Sequence, residues 1–461
     1  MRIEKDFLGE MALPDDALYG IQTIRAKDNF SLGYKKTHPQ LIRAMVLVKK
    51  AAALTYASLE HDPEQLKPYK AIVNACDRLL AGEGADMFIL DALQGGAGTS
   101  TNMNVNEVIA NLALKILGKA PGTYEVVHPL DMVNRGQSTN DVYPTALRIA
   151  AITLLRDLSG SCAQLQEALQ KKELEYEGIK KLGRTELMDA VPVTLGSEFG
   201  AYAQAIARDR WRLYKIEERL RQINLGGTAV GLLLEPYIER KDKKSERKYR
   251  FGVIEKIREL TGIGLAAAEY PMDITQNQDV FVEVSGLLKA LGVNLMKIAG
   301  DLRLMNSGPR GGLGEINLAP LQMGSTIMPG KVNPVIPEML IQAAIRVQAN
   351  DYAITMAASL GEFELNPFLP LIADALLESL SLLHQGVFLF RTKCVELLTP
   401  NPEQCAAHLD ASYAFTAAWV SQLGYDTVSG IIAACDGDPE RIKQALHDRC
   451  QEEEAKGVRD V

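Results

Sequence analysis

The stretch Gly324-Ser325-Thr326-Ile327-Met328-Pro329-Gly330-Lys331-Val332-Asn333-Pro334 gathers the residue types that proton abstraction beside an anion would need. Ser325 and Thr326 carry hydroxyls, Lys331 a charge, and Asn333 an amide that both donates and accepts. Gly324 and Gly330 open backbone conformations closed to other residues, and Pro329 and Pro334 stiffen the chain around them. A loop of this kind can fold over a ligand. A plain surface turn draws on the same residues, so the loop alone leaves both readings open.

Three further polar runs could meet a charged ligand. Gln94 to Asn104 holds Gly95, Gly96 and Gly98 followed by Thr99, Ser100 and Thr101. Its glycines free the backbone, and its hydroxyls and amides can donate to an anion, although a tight helix entry looks the same. Gln137-Ser138-Thr139-Asn140-Asp141 precedes a helical pattern, and Asp141 and Pro144 suit a helix start. Ser138, Thr139 and Asn140 would then sit where unpaired N–H groups and the helix dipole favour a carboxylate, or would simply cap the helix. Gly183-Arg184-Thr185-Glu186 adds a hydroxyl and a carboxylate.

Helices must position these runs. Leu41, Met45, Val48, Ala52 and Tyr56 recur at helical spacing within a helical pattern from Pro39 to Ala81. Leu147, Ala151, Leu154, Leu158, Cys162, Leu165 and Leu169 form a longer seam. A second runs through Val280, Val284, Leu288, Leu291, Leu295, Ile298, Leu302 and Met305, and a third through Ile206, Leu213, Ile216, Leu220 and Ile223. Near-heptad seams of this length predict long helices packed at shallow angles in a bundle, and surfaces for other subunits.

The loop resembles the GSSxMPxKxNP signature of the aspartase/fumarase superfamily, with Thr326 at the second serine. Tyr19 to Phe30 resembles its YGxQTxRAxxNF segment, which reads as structural. Gly96 to Asn104 and the QSTND run resemble the aspartase branch, whereas His128-Pro129-Leu130-Asp131-Met132-Val133-Asn134 resembles a peripheral anion site of the fumarase branch. Gly226 to Gly231, Ser307 to Arg310, Gly314 to Ile316 and Gly361 to Asn366 also match. Two departures stand out. Glu186 occupies a position where most members carry histidine, and the family's TGLN is replaced by Leu232 to Glu235 and a charged stretch, Pro236 to Arg250, that reads as a solvated insertion. The last seventy or so residues match weakly.

The resemblance implies an all-α, three-domain fold with a central long-helix bundle. Residues 1–139 would form an N-terminal helical domain, 140–392 the bundle and 393–461 a short C-terminal helical domain. It implies a homotetramer with sites shared between subunits and a small-molecule substrate of the succinyl type. A proton leaves the carbon beside a carboxylate, and an amine or hydroxide leaves the neighbouring carbon. Ser325 would be the base, made competent by loop amides, a nearby cation and exclusion of water. Thr99, Ser138, Thr139 and Thr326 would carry the charge that develops on the carboxylate. Lys331, Thr185 and Asn333 would hold the other carboxylate; Asn140, Thr99 and Glu186 would face the leaving group. The resemblance also places the supporting Glu338 near Glu186, and two carboxylates so close would share a proton. A carboxylate suits a departing ammonium, so ammonia loss from aspartate is the first expectation. Another amine-bearing dicarboxylate, a fumarase reaction and a catalytically silent homologue are the alternatives.

Composition narrows the field. The chain has 461 residues, 47% hydrophobic, and a net charge of −8 that argues against a general nucleic-acid binder. Its six cysteines show no metal spacing and read as reduced thiols of a cytoplasmic protein. The charged N-terminus does not read as a signal sequence, and no apolar run reads as long enough to span a bilayer. The expected mechanism needs no cofactor; activation by a divalent cation at an outer site is compatible with it.

Overall fold

The computed structural model describes residues 1–232 and 243–457, the side chains of 243–247 and 454–457 excepted. Of the charged insertion read from the sequence, residues 236–242 lie outside the described residues; the remainder is not a solvated loop but the start of helix Lys243–Thr261, where Tyr249 is buried.

The fold is helical, as the seams require. The longest helices are Thr139–Glu175, Leu195–Leu220, Asp279–Met305, Val335–Ala358 and Leu369–Phe390. Every residue of the first seam is buried, and so is every residue of the second except the half-buried Val280. Each fully buried leucine contributes about 2 kcal/mol over an exposed one, so these stripes rather than intrinsic propensity hold the helices. The third seam is interrupted: its helix ends at Leu220, and Ile223 lies in a two-residue strand, Gln222–Ile223. The pattern from Pro39 to Ala81 likewise divides into Pro39–Leu59 and Pro63–Leu80. Asp62 starts the second helix by accepting from the Glu64 amide at 2.9 Å. Among the described residues, strands occur only as two-stranded pairs, the largest being Lys180–Thr185 with Met188–Thr194.

The described chain divides into two compact units. One comprises Met1–Gly160, Arg210–Gly292 and Ala343–His384; the other comprises Ser161–Asp209, Val293–Gln342 and Gln385–Val461. The first holds Thr99, Ser138, Thr139 and Asn140. The second holds Thr185, Glu186, Ser325, Thr326, Lys331, Asn333 and Glu338.

The Tyr19-to-Phe30 segment is structural in the first unit. Buried Glu107 accepts hydrogen bonds from the amides of Gly20, Gln22 and Thr23 and from the Thr23 hydroxyl, at 2.6–3.1 Å. It thereby satisfies the open first turn of helix Ile21–Asn29.

One sequence reading is corrected. Leu369–Val395 is long and apolar enough to cross a bilayer by length and composition, with a mean hydropathy of 1.2. Yet 61% of the 18-residue window with that hydropathy is buried within the protein, as in a core helix.

Candidate active site

In the first unit, Ser138 is the N-cap of the 37-residue helix Thr139–Glu175. Its Oγ accepts from the Asn140 amide at 3.2 Å, while its own amide donates to Asp141 Oδ1 at 3.0 Å. This reciprocal bonding is a capping box with aspartate at the fourth position. Pro144 lies inside the helix and lacks the N–H that would bond the Asn140 carbonyl. The Asn224 side-chain amide takes that carbonyl instead, at 3.0 Å. Asn140 Nδ2 donates to the Ala229 carbonyl at 2.8 Å, and the Thr139 hydroxyl accepts from Asn102 Nδ2 at 3.0 Å. Three potential ligand groups are thus fixed at the positive end of a long helix dipole.

Thr99 is exposed at the first position of helix Thr99–Ile116. Gly96, Ala97 and Gly98 all have positive φ, 79°, 55° and 88°. A side chain at Gly98 would overlap the Tyr143 ring, so only glycine brings the backbone this close to the helix that carries Ser138.

Asp141 does more than start a helix. It is fully buried, and its Oδ2 accepts from the amides of Gly226 and Thr228, both at 3.0 Å. It therefore ties the Gly226-to-Gly231 loop to the helix N-terminus. The Ser138-to-Asp141 spacing was the sequence signal for the box; the match at Gly226 to Gly231 gave no sign that this loop is held by Asp141.

Lys49 lies fully buried in the same unit, with Nζ donating to Asn134 Oδ1 at 2.7 Å and Gln137 Oε1 at 3.0 Å. Burial drives its pKa down from 10.5 to about 7, against the attraction of Asp141. Between those values the unfolded chain holds a proton that the folded protein has shed, so this group makes stability rise with pH. Lys49→Met is expected to remove that slope. In urea titrations from pH 7 to pH 9, wild type should gain on the variant by up to about 1.4 kcal/mol per pH unit. A constant gap would show that Lys49 stays charged.

In the second unit, the hairpin Lys180–Thr185/Met188–Thr194 carries Thr185 and Glu186 at its exposed tip. Glu186 and Leu187 both take left-handed backbone, φ 54° and 64°, as a two-residue hairpin turn requires. Neither is glycine, so the turn stores about 1 kcal/mol at each. The hairpin is anchored by Glu315, which is wholly buried. Glu315 pairs with Lys181 at 2.9 Å, Arg184 at 2.8 Å and His408 at 3.3 Å. Burial pushes the Glu315 carboxyl up, but Lys181 and Arg184 outweigh it and hold the pKa below the ordinary range.

The loop itself is tightly bonded. The Gly324 amide donates to the Lys331 carbonyl, and Asn333 Nδ2 donates to the Gly324 carbonyl, both at 2.8 Å. The half-buried Ser325 Oγ accepts from the backbone amides of Ile327 at 3.2 Å and Met328 at 3.0 Å. Two N–H groups converging on one hydroxyl oxygen stabilise negative charge there. Thr326 and Lys331 are exposed. Lys331, Asn333 and Glu338 line a cavity of about 840 Å³ together with Arg303. Ser325, Thr326, Thr185 and Glu186 do not line it. Glu338 Oε1 contacts Arg303 Nη2 at 3.4 Å, so its hydrogen-bond partner among the described residues is Arg303 and not Glu186.

Residues 9–349 match a family model described as lyase. An aspartate ammonia-lyase of Helicobacter pylori is 45% identical over 92% of this chain and 89% of its own length. Among solved structures, a fumarate lyase:delta crystallin from Brucella melitensis aligns with a TM-score of 0.86 at 41% identity, covering 96% of this chain and 99% of that one. A class II fumarase from Schistosoma mansoni aligns at 0.87 with 29% identity, covering 97% and 95%. By its matched residues and its relatives, the chain belongs to the aspartase/fumarase superfamily of lyases.

Proposed function

We propose that this lyase is an aspartate ammonia-lyase, interconverting L-aspartate with fumarate and ammonia. The observation that carries the mechanism is the pair of amides donating to Ser325 Oγ. A serine hydroxyl is too weak a base unaided, and charge-stabilising donors are what it requires. As alkoxide, Ser325 takes the proton from the carbon beside one carboxylate. The electron pair moves into that carboxylate to give a dianionic enediolate. It then returns to form the double bond as the C–N bond breaks and ammonia departs, anti to the proton removed. Ser325 retains the proton until solvent takes it.

The remaining residues divide by charge. Thr99, Ser138, Thr139 and Thr326 donate to the carboxylate that becomes the enediolate. Lys331, Thr185 and Asn333 hold the other. Asn140, Thr99 and Glu186 meet the ammonium, for which the carboxylate of Glu186 is a natural partner. This reading assigns the sets from the two units to one site, completed between subunits of a homotetramer in the cytoplasm. No step calls for a cofactor. The tip position of Glu186 favours a second reading, a larger amine-bearing dicarboxylate, because a carboxylate on an exposed hairpin can serve an extended cation.

Absorbance of the fumarate double bond tests the choice. It should grow with L-aspartate and stay flat with malate. Growth with malate alone would make the protein a hydratase. Silence on both, with turnover of another amine, would establish the second reading.

A further inference from the structure

The cavity below the loop carries three charged side chains among the described residues: Arg303, Lys331 and Glu338. Two cations and one anion leave one net positive charge. L-aspartate, with two carboxylates and one ammonium, carries one net negative charge. Arg303 stands in the last turn of helix Asp279–Met305, and Glu338 in the first turn of helix Val335–Ala358. Their contact is a single long one, 3.4 Å, between side chains 44% and 38% exposed. An arginine fork has five N–H donors and matches a carboxylate best with two parallel bonds. Here one is used. A pair so exposed and so poorly aligned contributes little to stability.

We propose that Arg303 is a substrate-binding residue, which exchanges Glu338 for a carboxylate of the incoming dicarboxylate. Lys331 supplies a point charge on the same cavity, and Arg303 adds the planar fork that fixes orientation. Glu338, once released, adds its negative charge to that of Glu186 in attracting the substrate's ammonium. The Arg303–Glu338 pair therefore tunes the cavity for an amino dicarboxylate of charge −1 over a plain dicarboxylate of charge −2. No bond is made or broken by either residue. The inference rests on reading this cavity as part of a dicarboxylate site.

Succinate, an unreactive dicarboxylate, is the probe, titrated calorimetrically into the full chain. Arg303→Gln is expected to weaken succinate binding about tenfold or more. Glu338→Gln, which removes the competing anion, should tighten it about threefold. With L-aspartate, Arg303→Gln should raise KM about tenfold while kcat stays within about threefold, a split that loss of structure would not produce. Succinate affinity within about twofold of wild type in Arg303→Gln would overturn the assignment and leave the arginine a helix-end charge. So would a wild type that binds no succinate. Should Arg303→Gln fail to fold, Arg303→Lys keeps the charge without the fork; an affinity loss of about threefold or more supports the proposal, and anything smaller overturns it. If wild type binds succinate and Arg303→Gln weakens it, but L-aspartate is not turned over, the aspartate reading fails and Arg303 stands. If aspartate is turned over and Arg303→Gln changes neither constant, the inference alone fails.

Discussion

Ser325→Ala is expected to lower kcat for L-aspartate by about 10³-fold, the scale set by a positioned general base, while KM changes little. The expectation follows from what Ser325 Oγ touches. It accepts from Ile327 N at 3.2 Å and Met328 N at 3.0 Å, and the turn that delivers both amides is closed by Gly324 and Asn333. A β-carbon on Gly324 would come within 2.7 Å of the Lys331 carbonyl oxygen and 2.8 Å of the Asn333 amide, so the turn admits no side chain there. Alanine at 325 leaves those amides in place without the oxygen that they serve. Ser325→Thr retains the hydroxyl and should retain part of the rate, whereas Ser325→Cys brings a larger, softer atom to the same donors. Stopped assays at saturating aspartate, with thermal melts to show an intact fold, check the result. Loss of less than about tenfold would move the base elsewhere. It would also return the loop to the alternative its composition always allowed, a bonded surface turn.

How far the sequence disclosed this site depends on the range over which each part is held together. The long helices were legible because their apolar residues recur every three or four positions and are in fact buried, Leu147 to Leu169 most completely. Helix breaks were less legible. Nothing in the apolar period marks the stop at Leu59, although Asp62 followed by Pro63 is a start signal in plain view. The hairpin that carries Thr185 and Glu186 was hidden because Gly183 and Pro192 obscure its strand pattern. Glu186 and Leu187 also lack the glycine or asparagine that usually announces such a turn. The loop pointed to Ser325, Lys331 and Asn333 by their types, and the resemblance implied amides beside Ser325, but neither singled out those of Ile327 and Met328. The anchoring role of Glu315 escaped notice for a different reason. Its partner Arg184 is 131 residues away, and no local pattern links them. Arg303 was masked by its place in an apolar seam, where a lone cation near a helix end reads as ordinary dipole compensation. Local order is written in spacing; long-range ion pairs are written only in the fold.

Asp141→Ala carries the largest expected cost in stability, about 4 kcal/mol, because it strands three backbone donors at once. Ser138 N lies 3.0 Å from Oδ1, and Gly226 N and Thr228 N each lie 3.0 Å from Oδ2. An unpaired buried donor costs about 1–3 kcal/mol, and the three share one site, so their costs add incompletely. Asp141→Asn preserves the shape but not the chemistry. An amide offers one acceptor, and its NH₂ would face either the Ser138 amide or the Gly226–Thr228 pair, donor against donor. It should recover only part of the loss. Burial pushes the Asp141 carboxyl up to about 6, though the three amides and Lys49 pull it down. Its ordinary value is 3.8, so the folded protein binds this proton more tightly than the unfolded chain does. The favourable contribution from that proton is full below about pH 4 and is lost as pH rises through about 6. Neither Asp141→Asn nor Asp141→Ala retains it, and the wild-type advantage over both should shrink by up to about 1.4 kcal/mol per unit across that window. The functional consequence follows from the loop. Thr228 and Gly226 lead into Ala229, whose carbonyl orients Asn140. With the loop released, Asn140 loses its brace and Ser138 its box, so kcat/KM should fall even at temperatures where the variant is folded. Urea midpoints at pH 4, 5, 6 and 7, read beside kcat/KM at 15 °C below the variant's melting point, measure both. A destabilisation under about 1 kcal/mol would mean that water replaces the carboxylate at all three amides, and that the loop is held by Asn140 and Asn224 alone.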